Sequence, residues 1–540
     1  MFVVNAVINS VKRGSEEPLD LCTYDVDKCF DALWTHECIN DLYESGLTND
    51  KLTLLFKMNQ SAQVAVKTAH GMTQRVSISN IIMQGTVWAS LFCTATIDKL
   101  AKLAYKNKEL LYMYKGQVSV PPLQMVDDIL TVQKCGAASS ALNSEVVAFI
   151  EQKKLTLGQK KCLKVHIGNK CDDCCELFVH EEQMNEAQEV KYLGDIINEN
   201  GKPKATIMQR VNRGYAIVGQ IFALLKDLPI GNLRVLIGLE LQQAWLINGT
   251  LFNSEVWHGV ADSDIAHFVE IDKYLLKGLV KAHAKVPIEH IYLETAAIPI
   301  PFIISARRII YLQNILQRPD EEIIKKVYLH QKSHPSPGDW CYLVEKDFDS
   351  IGEHLSEDTI QAMSPLYFKK YVKSKIRNAA FQYLEGLKIS HTKVKENIYL
   401  DLEKPQEYIT SKLFTNQQCF LIFALKSKTL RGVKNNFKSM NQENTLCPLC
   451  ERYQDTQEHI CQCQVLLDVQ PLHSPVDYSG LFGTVHQQKD FIVKYEKYLK
   501  LRDELLENDP DPHPSLPGLH TGPQLPQART SARSSTSNIT

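Results

Sequence analysis

The first two hundred residues mix strand-like and helix-like patterns of apolar and polar positions. An apolar run at 21–26 predicts a buried strand that ends in a group of acids. Residues 36–45 place apolar side chains on one helical face, which predicts a helix. Alternation across 62–78, around a turn at His70 and Gly71, predicts a hairpin.

Further along, residues 85–105 are mostly apolar or small and predict a buried helix. The apolar stretch 123–132 carries two adjacent acids in its middle, which predicts a tight turn between two strands. Beyond residue 200, the long apolar-periodic segments 230–252, 263–281 and 302–317 predict mainly helical structure. We therefore expect an α+β fold whose second half is mostly α-helical.

Two segments predict interruptions of the regular secondary structure. Residues 333–340 are dense in proline and glycine, which favours a boundary between two helical parts. Residues 508–540 are rich in Pro, Ser, Thr and Gly, and such a tail cannot offset its ordering entropy by burial. We expect it to be disordered.

Composition excludes several classes of protein. The 540 residues are 44% hydrophobic and 23% charged, which excludes a wholly disordered or collagen-like chain. A formal net charge of −2 provides no global cationic field, so any nucleic-acid binding must use local basic patches. The 15 cysteines and the absence of an apolar secretory segment near Met1 favour a reducing intracellular compartment, nucleus or cytoplasm, without disulfides. The apolar runs are too short to predict a membrane span.

Acids occur where buried strands end. Asp25 lies near the end of the apolar run 21–26, with Asp27 and Asp31 close behind it, and Asp127 and Asp128 interrupt the stretch 123–132. An ionised carboxylate taken out of water needs a cation, and several that converge usually hold a hard divalent metal. Adjacent aspartates alone also suit an ordinary solvated turn.

The order of these blocks resembles motifs A, B and C of reverse transcriptases of the LINE-like, non-LTR retrotransposon type. The similar segments are Asp25-Val26-Asp27-Lys28-Cys29-Phe30-Asp31, Ile82-Met83-Gln84-Gly85-Thr86 and Met125-Val126-Asp127-Asp128, followed by 154–162 (motif D) and Lys191-Tyr192-Leu193-Gly194 (motif E). The resemblance implies a polymerase palm over residues 1–200, then a helical thumb, and it implies an RNA template, a DNA primer or target and dNTP substrates.

The same resemblance implies two-metal nucleotidyl transfer with Mg²⁺ or Mn²⁺. Asp25, Asp127 and Asp128 would hold the metals, with the Val26 carbonyl as a further ligand. Phe30 would pack under the incoming sugar and exclude a 2′-hydroxyl. Gln84 and Gly85 would approach the templating base and nucleotide. Lys161, or alternatively Lys160, would donate a proton to the pyrophosphate leaving group.

Two departures from the family pattern stand out. Met125 replaces the aromatic residue that usually precedes the acidic turn, and its flexible side chain fills the same apolar space. Family members also place nucleotide-gripping fingers upstream of motif A. We therefore expect a truncated element, and a chain that polymerises poorly by itself.

A second constellation is Cys447, Cys450, His459 and Cys463, a C-x₂-C-x₈-H-x₃-C arrangement whose ligand types suit one structural Zn²⁺. Cys461 is a rival fourth ligand, and buried reduced cysteines are the alternative to a metal site. The spacing resembles the C-C-H-C finger found downstream of many non-LTR polymerases.

Weaker candidates remain. A loose set of possible ligands comprises Cys162, His166, Cys171, Cys174 and Cys175. Possible phosphate-binding residues are Lys369, Lys370, Lys373, Lys375 and Arg377 with Tyr367, Phe368 and Tyr371, then Lys426, Lys428, Arg431, Lys434 and Lys438, and the pair Arg307 and Arg308. Solvated helix faces explain these basic runs equally well.

The predicted organisation is a palm (1–200), a helical thumb (201–332), a basic helical region (341–440), a zinc finger (441–470), a helical segment (471–507) and a tail (508–540). The predicted function is RNA-directed DNA polymerase. The rival hypothesis is an inert or domesticated remnant that binds nucleic acid, and a telomerase- or maturase-like polymerase shares the palm but fits the finger less well. The oligomeric state is not predicted.

Overall fold

The computed structural model describes residues 1–507 apart from a set of short segments. The segments left out are 15, 61–62, 78–81, 83–85, 135, 170–174, 202, 227, 229–232, 392–393, 431–445 and 470–475. The predicted positions Gln84, Gly85, Cys171, Cys174, Arg431, Lys434 and Lys438, and the tail 508–540, lie outside the described residues. The chain divides into two compact units, Met1–Asn416 and Gln417–Thr540.

A five-stranded sheet lies at the centre of the first unit. In spatial order its strands are β13 (Asn185–Glu186), β10 (Leu163–Ile167), β1 (Leu19–Asp25), β9 (Asp128–Lys134) and β8 (Leu123–Met125). All neighbours are antiparallel except β10 and β13. The sheet confirms the predicted strand at 21–26 and the two strands around the adjacent acids.

Strand β1 is buried on both faces, which explains why it is an almost continuous apolar run. Leu19 and Leu21 belong to one hydrophobic core, and Cys22 and Tyr24 to another. The two cores therefore lie on opposite sides of the sheet, since successive side chains of a strand point to opposite faces.

The remaining strands form two-stranded hairpins. They are β2 (Gln63–Val64) with β5 (Val76–Ser77), β3 (Lys67–Thr68) with β4 (Gly71–Met72), β6 (Tyr112–Tyr114) with β7 (Val118–Val120), β11 (Phe178–Val179) with β12 (Glu182–Gln183), and β14 (Glu189–Tyr192) with β15 (Asp195–Asn198). The first two pairs confirm the hairpin predicted around His70 and Gly71.

Helices cover both faces of the sheet. Those before residue 200 are α1 (Phe2–Lys12), α2 (Cys29–Ala32), α3 (Thr35–Glu44), α4 (Asn49–Gln60), α5 (Val87–Ala104) and α6 (Ala137–Gln152). Helices α3 and α5 confirm the predicted helices at 36–45 and 85–105. Helix α1 was not predicted, although the residues Val3, Val4, Val7, Ile8 and Val11 repeat at helical spacing and are buried.

The rest of the first unit is helical, as predicted. Its helices are α7 (Lys204–Lys226), α8 (Leu233–Leu241), a π-helix (Gln242–Ile247), α9 (Asn248–Thr250), α10 (Asp262–Leu279), α11 (Ile288–Thr295), α12 (Ile300–Leu316), α13 (Ile323–Ser333), α14 (Trp340–Ser350), α15 (Glu357–Ala362), α16 (Pro365–Ile389) and α17 (Glu407–Thr410). In the described residues no single helix has the length and apolar composition of a membrane span, while α11 and α12 together, bent by 58°, meet those two criteria.

The predicted boundary at 333–340 does not separate two packing units. Trp340 is fully buried, and its ring lies 5.2 Å from that of Phe2. The same core extends from Phe2 to Ile376, across the predicted boundaries at 200 and 333–340. A run of proline and glycine marks a turn of the chain, but it does not determine whether the flanking helices share a core.

The second unit contains α18 (Asn416–Lys426), α19 (Gln464–Val469) and α20 (Val485–Glu507). Tyr495 of α20 is fully buried and donates a hydrogen bond to the carbonyl of Gln457 at 3.1 Å. The segment that holds the predicted finger is therefore packed on helix α20 rather than standing alone.

Candidate active site and metal centre

The acidic residues of motifs A and C meet at one end of the central sheet. The pairing of β1 with β9 places Asp25 directly opposite Asp128. In the β8–β9 hairpin Met125 pairs with Asp128, so Val126 and Asp127 are the two turn residues. Directly opposed residues have Cβ atoms about 4.5–5.5 Å apart, so the register brings these carboxylates within reach of one cation. Asp127 lies in the turn as predicted, whereas Asp128 begins strand β9.

The electrostatics agree with this proximity. Burial, and then the charges of Asp127 and Asp25, raise the pKa of Asp128 above its usual value. The pKa of Cys29, in the segment that follows Asp25, is raised first by its hydrogen bond with Cys93, then by burial and the charge of Cys93, and last by the charge of Asp127. Oxygen donors from several carboxylates are the ligands that Mg²⁺ prefers. The donor set therefore fits the divalent metals that the sequence resemblance implies.

Lys161 lies against the same group of acids. Its Nζ is 2.8 Å from Oδ2 of Asp25 and 3.3 Å from Oδ1 of Asp27. These hydrogen bonds raise the pKa of Lys161, so its ammonium form is favoured. The side chain of Asp27 is 50% exposed, so this acid is partly solvated beside the site. Of the two lysines considered, Lys161 is thus the one that contacts the acids.

Residues 156–162, here named the Lys161 loop, lie close to these carboxylates because the loop contains a glycine. The N–H of Asp27 donates to the carbonyl of Thr156, and the N–H of Gly158 donates to the carbonyl of Asp25, both at 2.9 Å. A Cβ atom on Gly158 would lie 3.0 Å from Oδ1 of Asp27 and 3.3 Å from Oδ2 of Asp25. Only a residue without a side chain leaves these two carboxylates undisturbed.

The predicted substrate-binding residues lie nearby. Val26 is buried and forms an antiparallel bridge with the Lys161 loop. Phe30 is partly buried against the core that contains Val26, and its carbonyl accepts a hydrogen bond from the N–H of Ile82 at 3.2 Å. This bond ties motif A to the segment that precedes Gln84 and Gly85, which themselves lie outside the described residues.

The motif E segment forms a tight hairpin between β14 and β15. Leu193 and Gly194 have φ angles of 46° and 84°, the left-handed conformation that two-residue turns of type I′ need at both positions. Asp195 follows and forms a buried ion pair with Arg210 of α7. Burial, and then the charge of Asp128, raise the pKa of Tyr192, so the hairpin lies close enough to the acids to interact with them electrostatically.

The four predicted zinc ligands converge in the second unit. The ligand atoms of Cys447, Cys450, His459 and Cys463 all lie within 4.8 Å of one another, and they form the one such group found in the described residues. Sγ of Cys447 is 3.9 Å from Sγ of Cys463, and Sγ of Cys450 is 3.3 Å from Nε2 of His459. Tetrahedral zinc with bonds of about 2.3 Å to sulfur and 2.0–2.1 Å to nitrogen needs edges of roughly 3.5–3.8 Å. The cluster could therefore hold zinc.

Local structure prepares these ligands. The N–H of Cys447 donates to the carbonyl of Tyr453 at 2.7 Å, which closes the loop that carries the first two cysteines. Burial opposes ionisation of Cys450, but backbone N–H groups of Arg452 and Tyr453 donate to its sulfur and hold its pKa below the usual value. Burial lowers the pKa of His459, which favours the neutral imidazole that binds metal.

The rival ligands are placed elsewhere. Cys461 is buried outside the cluster, and burial raises the pKa of its thiol to about 12. In the loose set, Nδ1 of His166 lies 2.9 Å from Oδ1 of the buried Asp20. Cys162 is buried at the end of the Lys161 loop. These described members form no metal-binding group with Cys175.

The predicted basic surfaces are only partly exposed. On α16 the exposed members are Tyr367, Lys369, Lys370 and Lys373. Phe368 is fully buried in the core, while Tyr371 and Lys375 both contact Glu353, and Arg377 is half-buried. The exposed lysines keep the prediction of a phosphate-binding face open for this helix.

Four predicted phosphate ligands are instead buried, half-buried or bonded to other residues. Lys426 is buried, and Lys428 is half-buried. Arg308 is buried and forms an ion pair with Asp347 at 2.7 Å. Arg307 donates to backbone and side-chain oxygens of neighbouring segments. Basic composition could not distinguish these residues from solvated ones, because the partners lie far away in sequence.

One exposed element was missed as a nucleic-acid candidate. Residues 63–77, here named the hairpin arm, are exposed throughout apart from Ala65, and they carry Lys67, His70 and Arg75. The sequence could have indicated this candidate, because residues 51–97 contain no Asp or Glu. A cationic arm without acids is suited to phosphate contacts.

Comparisons with known proteins give limited similarity. No protein-family model and no curated protein matches the chain. A solved telomerase from Candida albicans with the TWJ fragment of telomeric RNA has a TM-score of 0.30 and 13% identity, covering 64% of this chain and 54% of that chain. Apo telomerase from Candida tropicalis has a TM-score of 0.30 and 12% identity, covering 60% and 56%. The chain spans about half the length of these structures, and no residue assignment here rests on them.

Proposed function

We propose that residues 1–200 of the first unit are the palm of an RNA-directed DNA polymerase of the LINE-like, non-LTR retrotransposon type, and that residues 201–332 of the same unit are its helical thumb. The observation that carries the proposal is the register that sets Asp25 opposite Asp128, with Asp127 in the adjoining turn. About a hundred residues separate Asp25 from the pair, and nothing in the local pattern of either segment requires them to meet. The order of the five motif-like blocks supports the same conclusion.

The three carboxylates would hold two Mg²⁺ ions. When bound, the metals lower the pKa of the primer 3′-hydroxyl and stabilise charge on the reacting α-phosphate. Asp25 and Asp127 would serve as the bridging ligands, and Asp128 completes the negative cluster. Its raised pKa supports this role, because a group of unneutralised carboxylates favours a cation.

Lys161 would exchange partners during the reaction. Its ammonium group bonds to both Asp25 and Asp27. A cation at the carboxylates would release it electrostatically, and the side chain is exposed and long enough to turn toward a triphosphate. There its proton could pass to the pyrophosphate oxygen as the P–O bond breaks.

Substrate selection would depend on Phe30. Its ring packs partly against the core beside Val26, next to the acids, where a 2′-hydroxyl would collide with it. Deoxynucleotides are then preferred over ribonucleotides.

Nucleic acid would be bound by local cationic elements, since the chain as a whole carries no excess positive charge. The hairpin arm and the exposed lysines of α16 are the candidates in the first unit. In the second unit, zinc at Cys447, Cys450, His459 and Cys463 would stabilise a compact lobe, as in C-C-H-C fingers. Template RNA and a DNA primer or target are the proposed partners.

The test is primer extension on an RNA template with dNTPs and Mg²⁺, together with Mn²⁺ binding followed by electron paramagnetic resonance. Asp127→Asn should lower extension on the order of 10³-fold and weaken Mn²⁺ binding, because it removes a carboxylate that would hold the metals. The matched control is Asp31→Asn, an exposed acid on α2. Equal Mn²⁺ binding and equal extension by both variants would overturn the proposal.

A further inference from the structure

A cavity of about 310 Å³ lies in the first unit, between α1, the β6–β7 hairpin and α13. It shares no residue with the acidic cluster, with the Lys161 loop or with the zinc ligands. Part of its wall is the proline-rich segment 333–340, which the polymerase proposal leaves without a role. The volume lies at the lower end of the range of about 300–1,000 Å³ that small-molecule sites occupy.

Two permanent cations line the cavity. Arg13 is held in place by Asp339, 3.2 Å from Nη1, and by the hydroxyl of Ser336, 2.8 Å from Nη2. Lys115 lies in the turn between β6 and β7, and its backbone has a φ of 51°. Within the part of the chain that the structure describes, no carboxylate forms an ion pair with its ammonium group. The charged lining residues Arg13, Lys115 and Asp339 therefore carry one more positive than negative charge, and the carboxylate of Glu16 lies close by, where it accepts a hydrogen bond from the backbone N–H of Lys115.

Two histidines add hydrogen-bonding capacity. The rings of His330 and His334 stack with centroids 5.0 Å apart, and Tyr114 packs on His330 at 5.6 Å. Burial, and then the charges of His334 and Lys115, lower the pKa of His330, while the charges of Glu16 and Asp339 act in the opposite direction. Paired imidazoles beside Lys and Arg are well suited to the oxygens of a phosphate group.

Two buried polar atoms at the cavity lack partners. Ser10 is 3% exposed and Gln331 is 1% exposed, and both line the cavity. Neither the hydroxyl oxygen of Ser10 nor Oε1 of Gln331 has a hydrogen-bond partner in the described structure. An unsatisfied buried polar atom costs about 1–3 kcal/mol, and such atoms call for an explanation. Oε1 of Gln331 is an acceptor, so it needs a donor such as a ligand hydroxyl.

We propose that this cavity binds a sugar phosphate, with the phosphate monoester near Arg13, Lys115 and the two histidines and a sugar hydroxyl donating to Gln331. The ligand could be free, as a pentose phosphate or nucleoside monophosphate, or it could be the 5′-phosphorylated end of an RNA. A phosphodiester within a strand fits poorly, because only a terminal group can reach atoms as deeply buried as those of Ser10 and Gln331.

The experiment is isothermal titration of the whole chain with ribose 5-phosphate, and with ribose as the ligand that lacks phosphate. We expect saturable binding of ribose 5-phosphate and at least tenfold weaker binding of ribose. Lys115→Gln should weaken binding of the phosphate at least tenfold. Lys326→Gln is the matched control, an exposed lysine on α13 that does not line the cavity, and it should bind as the wild type does.

Gln331→Leu separates a binding role from a structural one. Leucine removes the unpartnered Oε1 together with a 3.4 Å hydrogen bond to Tyr114, so the variant should unfold at the same temperature as the wild type or higher. It should nevertheless bind ribose 5-phosphate at least tenfold more weakly. A destabilised variant with unchanged binding, or no saturable binding to the wild type up to about 10 mM, would overturn the proposal.

Two RNA oligonucleotides of one sequence, with a 5′-phosphate or a 5′-hydroxyl, identify the source of the ligand. If the 5′-phosphorylated oligonucleotide binds more strongly than the 5′-hydroxyl one, and ribose 5-phosphate displaces it, the ligand is an RNA end. If ribose 5-phosphate binds but the two oligonucleotides bind equally, the ligand is a free sugar phosphate. If ribose 5-phosphate neither binds by itself nor displaces the phosphorylated oligonucleotide, the proposed site is wrong. Asp127→Asn should bind ribose 5-phosphate normally, so failure here leaves the polymerase proposal intact.

Discussion

Replacing Asp128 by asparagine should stabilise the protein in the absence of divalent cations while it weakens the response to Mg²⁺. Asp128 lies opposite Asp25 and beside Asp127, and the charges of both raise its pKa, after burial. Asparagine keeps the shape of the side chain and removes one of three neighbouring negative charges. The variant therefore tests directly whether these acids repel one another in the folded chain.

The magnitude follows from distance and exposure. Two unit charges about 4 Å apart interact by roughly 1 kcal/mol in water and up to about 4 kcal/mol near a protein surface. Asp128 is partly desolvated at its carboxylate, but the residue as a whole is exposed, and Lys161 already neutralises part of the charge of Asp25, so the lower value applies. Asp128→Asn should raise the unfolding free energy by about 0.5–1.5 kcal/mol.

The assay is chemical denaturation followed by tryptophan fluorescence, in buffer without divalent cations and again with Mg²⁺. All five tryptophans belong to the first unit, so the signal reports the unit that contains the acids. Mg²⁺ at ten times its dissociation constant should stabilise the wild type by about 1.4 kcal/mol. The variant should gain much less, and Asp31→Asn should match the wild type in both buffers.

The pH dependence has a defined sign. The pKa of Asp128 is raised in the folded protein above its ordinary value of 3.8, so the folded state binds the extra proton between those two values. The contribution of this group to stability is then fully present below 3.8 and is lost as the pH rises through the raised value. Asp128→Asn should flatten that part of the profile. Destabilisation by more than about 1 kcal/mol without metal would refute the reasoning, since it would mean that the carboxylate makes a stabilising contact.

Three further outcomes are expected. Elemental analysis should find about one zinc per chain, lost in Cys463→Ser and retained in Cys461→Ser; equal content in both variants would contradict the proposed ligand set. The free energy of unfolding of Gly158→Ala should lie within about 1 kcal/mol of the wild-type value, yet the variant should extend primers at least tenfold more slowly. The reason is that its Cβ would press on two carboxylates at 3.0 and 3.3 Å. Unchanged extension would show that the position of these carboxylates is not critical. Arg210→Met should lower the free energy of unfolding by about 3–5 kcal/mol, because it leaves the charge of Asp195 buried without its cation. Adding Asp195→Asn should restore part of that stability. If the effects of the two substitutions simply add, the two residues are not coupled.

Local patterns were sufficient to predict most elements near the site. The strand that ends at Asp25, the helix now seen as α3 and the hairpin turning at His70 and Gly71 each follow from periodicity within a few residues. The four finger ligands were also predictable, because Cys447 and Cys450 share one turn and their spacing restricts them to a common point. In such cases the interacting groups are neighbours in sequence.

Tertiary structure decided what composition could not. Lys426 and Arg308 carry the same charge as solvated residues, yet they are buried. Trp340 follows a segment that predicts a boundary, yet it packs in the core with Phe2. Burial depends on which distant segments cover a residue, so a local run of basic or turn-forming residues does not determine it.

The amino-acid sequence by itself determined which acids were candidates, since Asp25, Asp127 and Asp128 interrupt apolar runs where a charge is costly. Only the tertiary structure decided that Asp25 faces Asp128 and that Lys161 bonds to Asp25. The physical reason is register. Pairing between β1 and β9 is fixed by the burial of both faces of the sheet, and a shift of one residue would turn every side chain of β1 to the opposite core.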